Sequence, residues 1–208
     1  MPSEKFKLAV LVSGQGSNLQ AIIDSIEKNK LIAEISLVLS NAKEAYALER
    51  GKRHGLETVF LDPNTFSNRE DYEQALIELL QAKSIDLVCL AGFMRILGKK
   101  FIAAFSGKII NIHPSLLPAF PGLNVQKKAL EHGAKFSGCT VHFVNEEVDS
   151  GPIILQAVVP IHDKDNVQSL SERILEQEHI IYPEAIRLII EDRIKFSGRR
   201  VLQKAKGV

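Results

Sequence analysis

Phe6-Lys7-Leu8-Ala9-Val10-Leu11-Val12-Ser13-Gly14-Gln15-Gly16-Ser17-Asn18-Leu19 is the stretch that decides the fold. Residues 6–12 form an apolar run of strand length that stops at Ser13-Gly14, the pattern of a strand buried on both faces. Leu19, Ile22, Ile23 and Ile26 follow at helical spacing, so a glycine loop joins this strand to a helix with one face on the sheet. Such a loop leaves backbone N–H groups at a helix N-terminus and lets a phosphate approach closely. It is equally compatible with an ordinary tight turn in which Ser17 or Asn18 caps the helix.

Outward from this unit the alternation continues. A helix is expected around 45–54, a strand at 58–61, a helix over 69–82, a strand at 86–91, a helix near 99–105 and a strand at 109–112. This order predicts an α/β fold, a doubly wound, mostly parallel (Rossmann-like) sheet with helices on both faces. Beyond a short helix at 125–132, two β-rich runs at 138–144 and 153–159 flank the acidic turn 145–151, which predicts an antiparallel hairpin in the C-terminal half. A last helix over 167–192 contains Pro183, which should kink it, and the basic residues after Asp192 are expected to form a solvated tail.

With 208 residues, 45% hydrophobic and 25% charged, the chain fits one globular domain. A net charge of +1 gives no general attraction to nucleic acid or anionic membrane, and no apolar run is long enough to span a bilayer. Cys89 and Cys139 lie in apolar surroundings without CxxC spacing, and the N-terminus lacks a secretory pattern, so a cytoplasmic location is expected.

Asn111 and His113 follow the apolar run Lys108-Ile109-Ile110, at the carboxyl end of a strand, where ligands bind in open α/β sheets. Two residues apart on an extended chain, their side chains point to the same side. An Asn-X-His at a strand end also serves as plain turn chemistry. Gly92 to Leu97 is apolar for a loop at such an edge, which fits either a pocket for a flat ligand or a loop packed under the next helix. Glu178 falls on the apolar stripe of the last helix, so it either pairs internally or faces a polar ligand.

The six histidines show no metal-ligand spacing, and no GxSxG elbow is present. NAD is disfavoured, because Leu19 stands where the dinucleotide fingerprint has its third glycine and the second strand runs into Ser40-Asn41 rather than an acid. Acid–base and electrostatic chemistry remains. Asn111 can donate to an oxyanion, His113 can act as a general acid, and a nearby carboxylate can hold the imidazole charged.

Six stretches in order carry a close resemblance to a known family: Ser13 to Gln20, Leu90 to Leu97, Asn111 to Pro118, Gly138 to Val144, Asp149 to Gln156, and Gln177 to His179. Over about residues 7–190 the sequence resembles the phosphoribosylglycinamide formyltransferases, folate-dependent enzymes of purine synthesis. The resemblance implies that Gly16, Ser17 and Asn18 hold the ribose phosphate of glycinamide ribonucleotide and that Glu178 contacts its glycinamide end. It implies that Met94, Arg95, Ile96 and Leu97 line the folate pocket, with Asn111 beside them and Arg69 as a further folate contact. Asn111, His113 and Asp149 would be the catalytic set, with 10-formyltetrahydrofolate as co-substrate and no metal or NAD.

The domain scheme that results is a single formyltransferase domain over 1–208. It has a phosphate-binding half of about 1–105, a catalytic and folate half of about 106–192, and a basic tail at 193–208. Small-molecule substrates, no nucleic-acid or membrane partner, and a monomer or weak homodimer are implied. Three other readings stay open. A formyltetrahydrofolate hydrolase is expected to add an N-terminal regulatory domain, and an initiator-tRNA formyltransferase a C-terminal RNA-binding domain. A non-catalytic phosphate-ligand module leaves Asn111, His113 and Asp149 without a shared purpose.

Overall fold

The computed structural model describes residues 5–204, and the chain divides at Ile110/Asn111 into two compact units. In the first, β1 (Phe6–Val12) is the strand read from the apolar run, and Leu8 to Val12 are wholly buried, as a strand covered on both faces requires. The unit continues with α1 (Ser17–Glu27), β2 (Ala33–Ser40), α2 (Tyr46–Arg53) and β3 (Thr58–Phe60). Then come α3 (Arg69–Ala82), β4 (Leu87–Leu90), α4 (Lys99–Ala104) and β5 (Ile109–His113), the last crossing the boundary between units.

β1 pairs in parallel with β2 on one side and β4 on the other, and β2 pairs in parallel with β3. The chain therefore winds outward from β1 and returns to its other side. Ligands bind at such a switch point, outside the carboxyl ends of the two strands where the winding reverses. The loops after β1 and β4 lie there.

The second unit holds α5 (Val125–Glu131), β6 (Phe136–Phe143), β7 (Ile153–Pro160) and α6 (Val167–Ile190). β6 and β7 form the expected antiparallel pair. Seven strands make one mostly parallel sheet in the order β3-β2-β1-β4-β5-β6-β7. At α6, Asn166 accepts from Ser169 N and the Ser169 side chain answers with a bond to the Asn166 backbone, a reciprocal cap; the helix then runs through Pro183.

The tail departs from expectation. Lys195, Arg199 and Arg200 are exposed, as in a solvated end, but β8 (Ile194–Ser197) and β9 (Arg200–Gln203) pair as an antiparallel hairpin. Gly198 supplies the left-handed turn at φ 59, and the Phe196 ring meets that of Phe143 at 5.1 Å. Residues 205–208 lie outside the described part. Among the described residues no helix is long and apolar enough to cross a membrane.

Candidate functional site

In the first unit, the loop after β1 is shaped by α2. Ala47 N donates to Gly14 O at 3.1 Å and Arg50 Nε donates to Gln15 O at 2.8 Å, so two loop carbonyls are turned toward that helix. Gly16 is the N-cap of α1 at φ 69, and a Cβ there would sit 2.5 Å from Ala47 Cβ. Both facts demand glycine. No side chain caps α1, so the capping role open to Ser17 or Asn18 is not what the loop is built for. Ser17 and Asn18 instead open the helix, with Asn18 buried.

The loop after β4 is fastened to this one. Ser13 N donates to Gly92 O at 3.0 Å, Met94 N donates to Ser13 Oγ at 2.7 Å, and Ser13 Oγ donates to Asn41 Oδ1 at 2.5 Å. Asn41 thus anchors Ser13 just past the end of β2, where a dinucleotide fold keeps its ribose-binding acid. Met94 and Ile96 are exposed while Leu97 is buried, so the segment presents alternate side chains outward. Arg95 lies over the Tyr72 ring at 4.9 Å, and burial pushes the Tyr72 hydroxyl up to about 12 against the lowering effect of that guanidinium. Arg69 donates to Ile96 O at 2.8 Å.

In the second unit, β5 places Asn111 and His113 on one side, as their spacing requires. The backbone of Asp149 is left-handed, φ 52, in the turn after β6, and its carboxylate is nearly buried. Asp149 Oδ2 lies 3.4 Å from His113 Nδ1 and accepts from Gly122 N at 2.8 Å. His113 Nε2 lies 3.0 Å from Phe120 O. Both ring nitrogens therefore face oxygens: Nε2 lies at hydrogen-bonding distance from the Phe120 carbonyl, and Nδ1 forms an ion pair with Asp149 when the ring is protonated. Phe120 itself has φ 51, unusual for a bulky residue, and this conformation aims its carbonyl at His113.

His142 lies on β6, inside the run that the sequence marks only as β-rich. Its Nε2 lies 3.3 Å from Asn111 Nδ2 and 3.8 Å from Asp149 Oδ1, and its Nδ1 lies 2.9 Å from Phe143 O. Burial holds its pKa below the ordinary histidine value, outweighing the opposite pull of the Phe143 carbonyl and Asp149. The neutral ring donates from Nδ1 to Phe143 and accepts at Nε2 from one N–H of Asn111. This fixes which way the Asn111 amide points and leaves its second N–H for a ligand.

Thr140 and Gln156 were likewise missed. Thr140 Oγ1 donates to Ser115 O at 2.7 Å and accepts from Leu117 N at 3.0 Å, while Gln156 Nε2 donates to Leu117 O at 2.9 Å. β6 and β7 thereby pin the segment after His113, whose backbone Pro114 and Pro118 also restrict. Glu178 is buried on α6, close enough to Cys139 to help raise its thiol. Among the described residues no group of three or more His, Cys, Asp or Glu side chains is placed to hold a metal ion.

A phosphate-type loop at a switch point and an amide–imidazole–carboxylate cluster at the end of a strand describe an acyl-group transferase of α/β type. The formyl transferase family matches residues 6–186, and the chain belongs to it. It is 48% identical over 91% of its length to the phosphoribosylglycinamide formyltransferase of Haemophilus influenzae, covering 89% of that protein. It is 46% identical to the trifunctional purine biosynthetic protein adenosine-3 of Gallus gallus over 93% of this chain, which spans only 19% of that relative's length. The crystal structure of glycinamide ribonucleotide transformylase 1 from Symbiobacterium toebii superposes with a TM-score of 0.94 at 50% identity, over 96% of this chain and 94% of the other.

Proposed function

We propose that this chain transfers the formyl group of 10-formyltetrahydrofolate to the amine of 5-phosphoribosyl-glycinamide, giving the formylated ribonucleotide and tetrahydrofolate. The observation that carries this reading is the cluster of Asn111, His113 and Asp149, with His142 aiming the amide. The substrate amine attacks the formyl carbon and negative charge grows on the formyl oxygen. Asn111 donates to that oxygen, and protonated His113 does so by turning its Nε2–H from the Phe120 carbonyl, its resting acceptor, to the oxyanion. Asp149 keeps the imidazolium paired and accepts the proton lost by the attacking amine, directly or through water. The bond from the formyl carbon to the folate nitrogen then breaks, and that nitrogen takes up a proton. No covalent enzyme intermediate is needed.

In this reading Gly16, Ser17 and Asn18 bind the ribonucleotide phosphate through the uncapped N-terminus of α1, and Glu178 holds the glycinamide end. Met94, Arg95, Ile96 and Leu97, with Arg69 and Asn111, bind the folate. The protein works on these small molecules in the cytoplasm, as a monomer or weak homodimer. The test is absorbance-detected release of folate from a 10-formyl-folate analogue, with and without glycinamide ribonucleotide. Release that requires the ribonucleotide supports the transferase. Release with water alone makes the protein a hydrolase, and no release refutes formyl transfer from folate.

A further inference from the structure

Glu73 is a buried carboxylate, 4% exposed, on a helix of the first unit, and nothing in the proposed chemistry uses it. A buried charge is retained only where partners satisfy it. Its partners here lead to one place. Arg69 Nε donates to Glu73 Oε1 at 2.7 Å, and Gly98 N donates to the same oxygen at 2.9 Å. Arg69 in turn donates a second N–H to Ile96 O. Two backbone groups, at 96 and 98, thus hang from one carboxylate, one through the arginine and one directly.

The glycine at 98 adds an independent observation. Its backbone, φ −82 and ψ 169, is open to any residue, so conformation does not call for glycine. Space does. A Cβ at 98 would lie 2.5 Å from Glu73 Oε2 and 3.3 Å from an Arg69 nitrogen. The sequence omits a side chain where the carboxylate closes against the loop.

We infer that Glu73, without touching substrate, is the positioning residue of the folate site: it holds Arg69 and the Ile96–Gly98 backbone in the arrangement that receives the folate. The inference rests on the assignment of Arg69 and 94–97 to folate. Loss of the carboxylate leaves the Arg69 guanidinium, half exposed, free to turn into solvent, and releases Gly98 N and Ile96 O together. Folate affinity falls, while the amide–imidazole–carboxylate chemistry of the second unit is untouched.

The experiment compares wild type, Glu73→Gln and Gly98→Ala, each checked for folding by circular dichroism. Calorimetry measures binding of an unreactive 10-formyl-folate analogue, and steady-state kinetics follow both substrates. The expected result is a folate Kd and KM raised about tenfold or more in both variants, because charge-assisted bonds at a buried group are lost. At saturating folate, kcat and the ribonucleotide KM stay within about threefold of wild type. An unchanged folate Kd in folded Glu73→Gln overturns the inference. So does an equal loss in kcat and in both KM values, the mark of general destabilisation. Should Glu73→Gln fail to fold, Gly98→Ala decides on the same criteria. A wild type that does not bind the analogue removes the folate assignment itself, and the inference with it.

Discussion

His113 Nδ1 lies 3.4 Å from Asp149 Oδ2 while His113 Nε2 faces the carbonyl of Phe120 at 3.0 Å. The imidazole is thus held at both ends, one end by a charge and the other by a carbonyl whose own backbone is left-handed. Asp149→Asn is the cleanest probe of this arrangement, because asparagine tolerates the left-handed conformation at 149 and keeps the side-chain shape while removing the charge and one acceptor oxygen. Its kcat should fall about 10²- to 10⁴-fold, with binding of an unreactive folate analogue near wild type. Turnover at wild-type rate in a folded Asp149→Asn protein would remove the carboxylate from the mechanism.

His142 predicts a pH dependence of stability. Its folded pKa is depressed, by burial first and with His113 adding to the depression, while the Phe143 carbonyl and Asp149 oppose it. In the unfolded chain the ring takes up a proton below about pH 6.5, and in the folded chain it resists doing so. The unfolded state therefore binds more protons on acidification. Stability present above that pH is lost as pH falls toward the folded pKa. Urea unfolding at pH 7.5 and 5.5 should show a drop in wild type that is smaller in His142→Gln. Equal drops would mean that other groups carry the whole effect.

Gly16→Ala confronts two obstacles at once, φ 69 and the side chain of Ala47. Each costs on the order of 1–3 kcal/mol, so denaturant midpoints should fall clearly. Adding Ala47→Gly removes the overlap but not the backbone strain, and should restore only part of the loss. Full restoration would show that the left-handed conformation costs nothing there. In both proteins the KM for the ribonucleotide should rise more than that for folate.

Much of the first unit was legible because its signals are local. The 6–12 run became β1, and the Arg69–Ala82 periodicity became α3 at those limits, with Asn68 accepting from Asp71 N as its cap. The hairpin at 194–203 was not legible, since Lys195, Arg199 and Arg200 read as a solvated charge run and Phe196 finds its partner at Phe143, far back in sequence. β6 starts at Phe136 rather than 138, because its first residues pair across to Val159 and Pro160. In the second unit, Asn111 and His113 announced themselves by spacing. His142 did not, because its tie to Asn111 spans 31 residues and depends on the sheet. Phe120 carried no signal either, since phenylalanine gives no hint of a left-handed backbone.

Cys139 should be chemically silent. Burial, and secondarily the Glu178 carboxylate, push its thiol up to about 12, and Cys89 is buried as well. Since the thiolate is the reactive form, a disulfide reagent at pH 8 should label neither cysteine in the folded protein and both in urea. Fast labelling of native Cys139 would show that α6 and β6 separate readily in solution.

Ser13 ties the loop after β1 to the loop after β4 through one hydroxyl, which accepts from Met94 N and donates to Asn41 Oδ1. Ser13→Ala removes both bonds and leaves the Met94 N–H to water, since Met94 is exposed. The stability cost should therefore lie near the lower end of the usual range, about 1 kcal/mol. The effect on ligands should be larger, because both proposed binding loops lose their common fastening. KM values for the ribonucleotide and for folate should rise together by about threefold to tenfold, with kcat less affected. Ser13→Thr keeps the hydroxyl and should recover most of the loss. If Ser13→Ala moved only one KM, the two loops would be set independently and the shared hydroxyl would be a local feature of one of them.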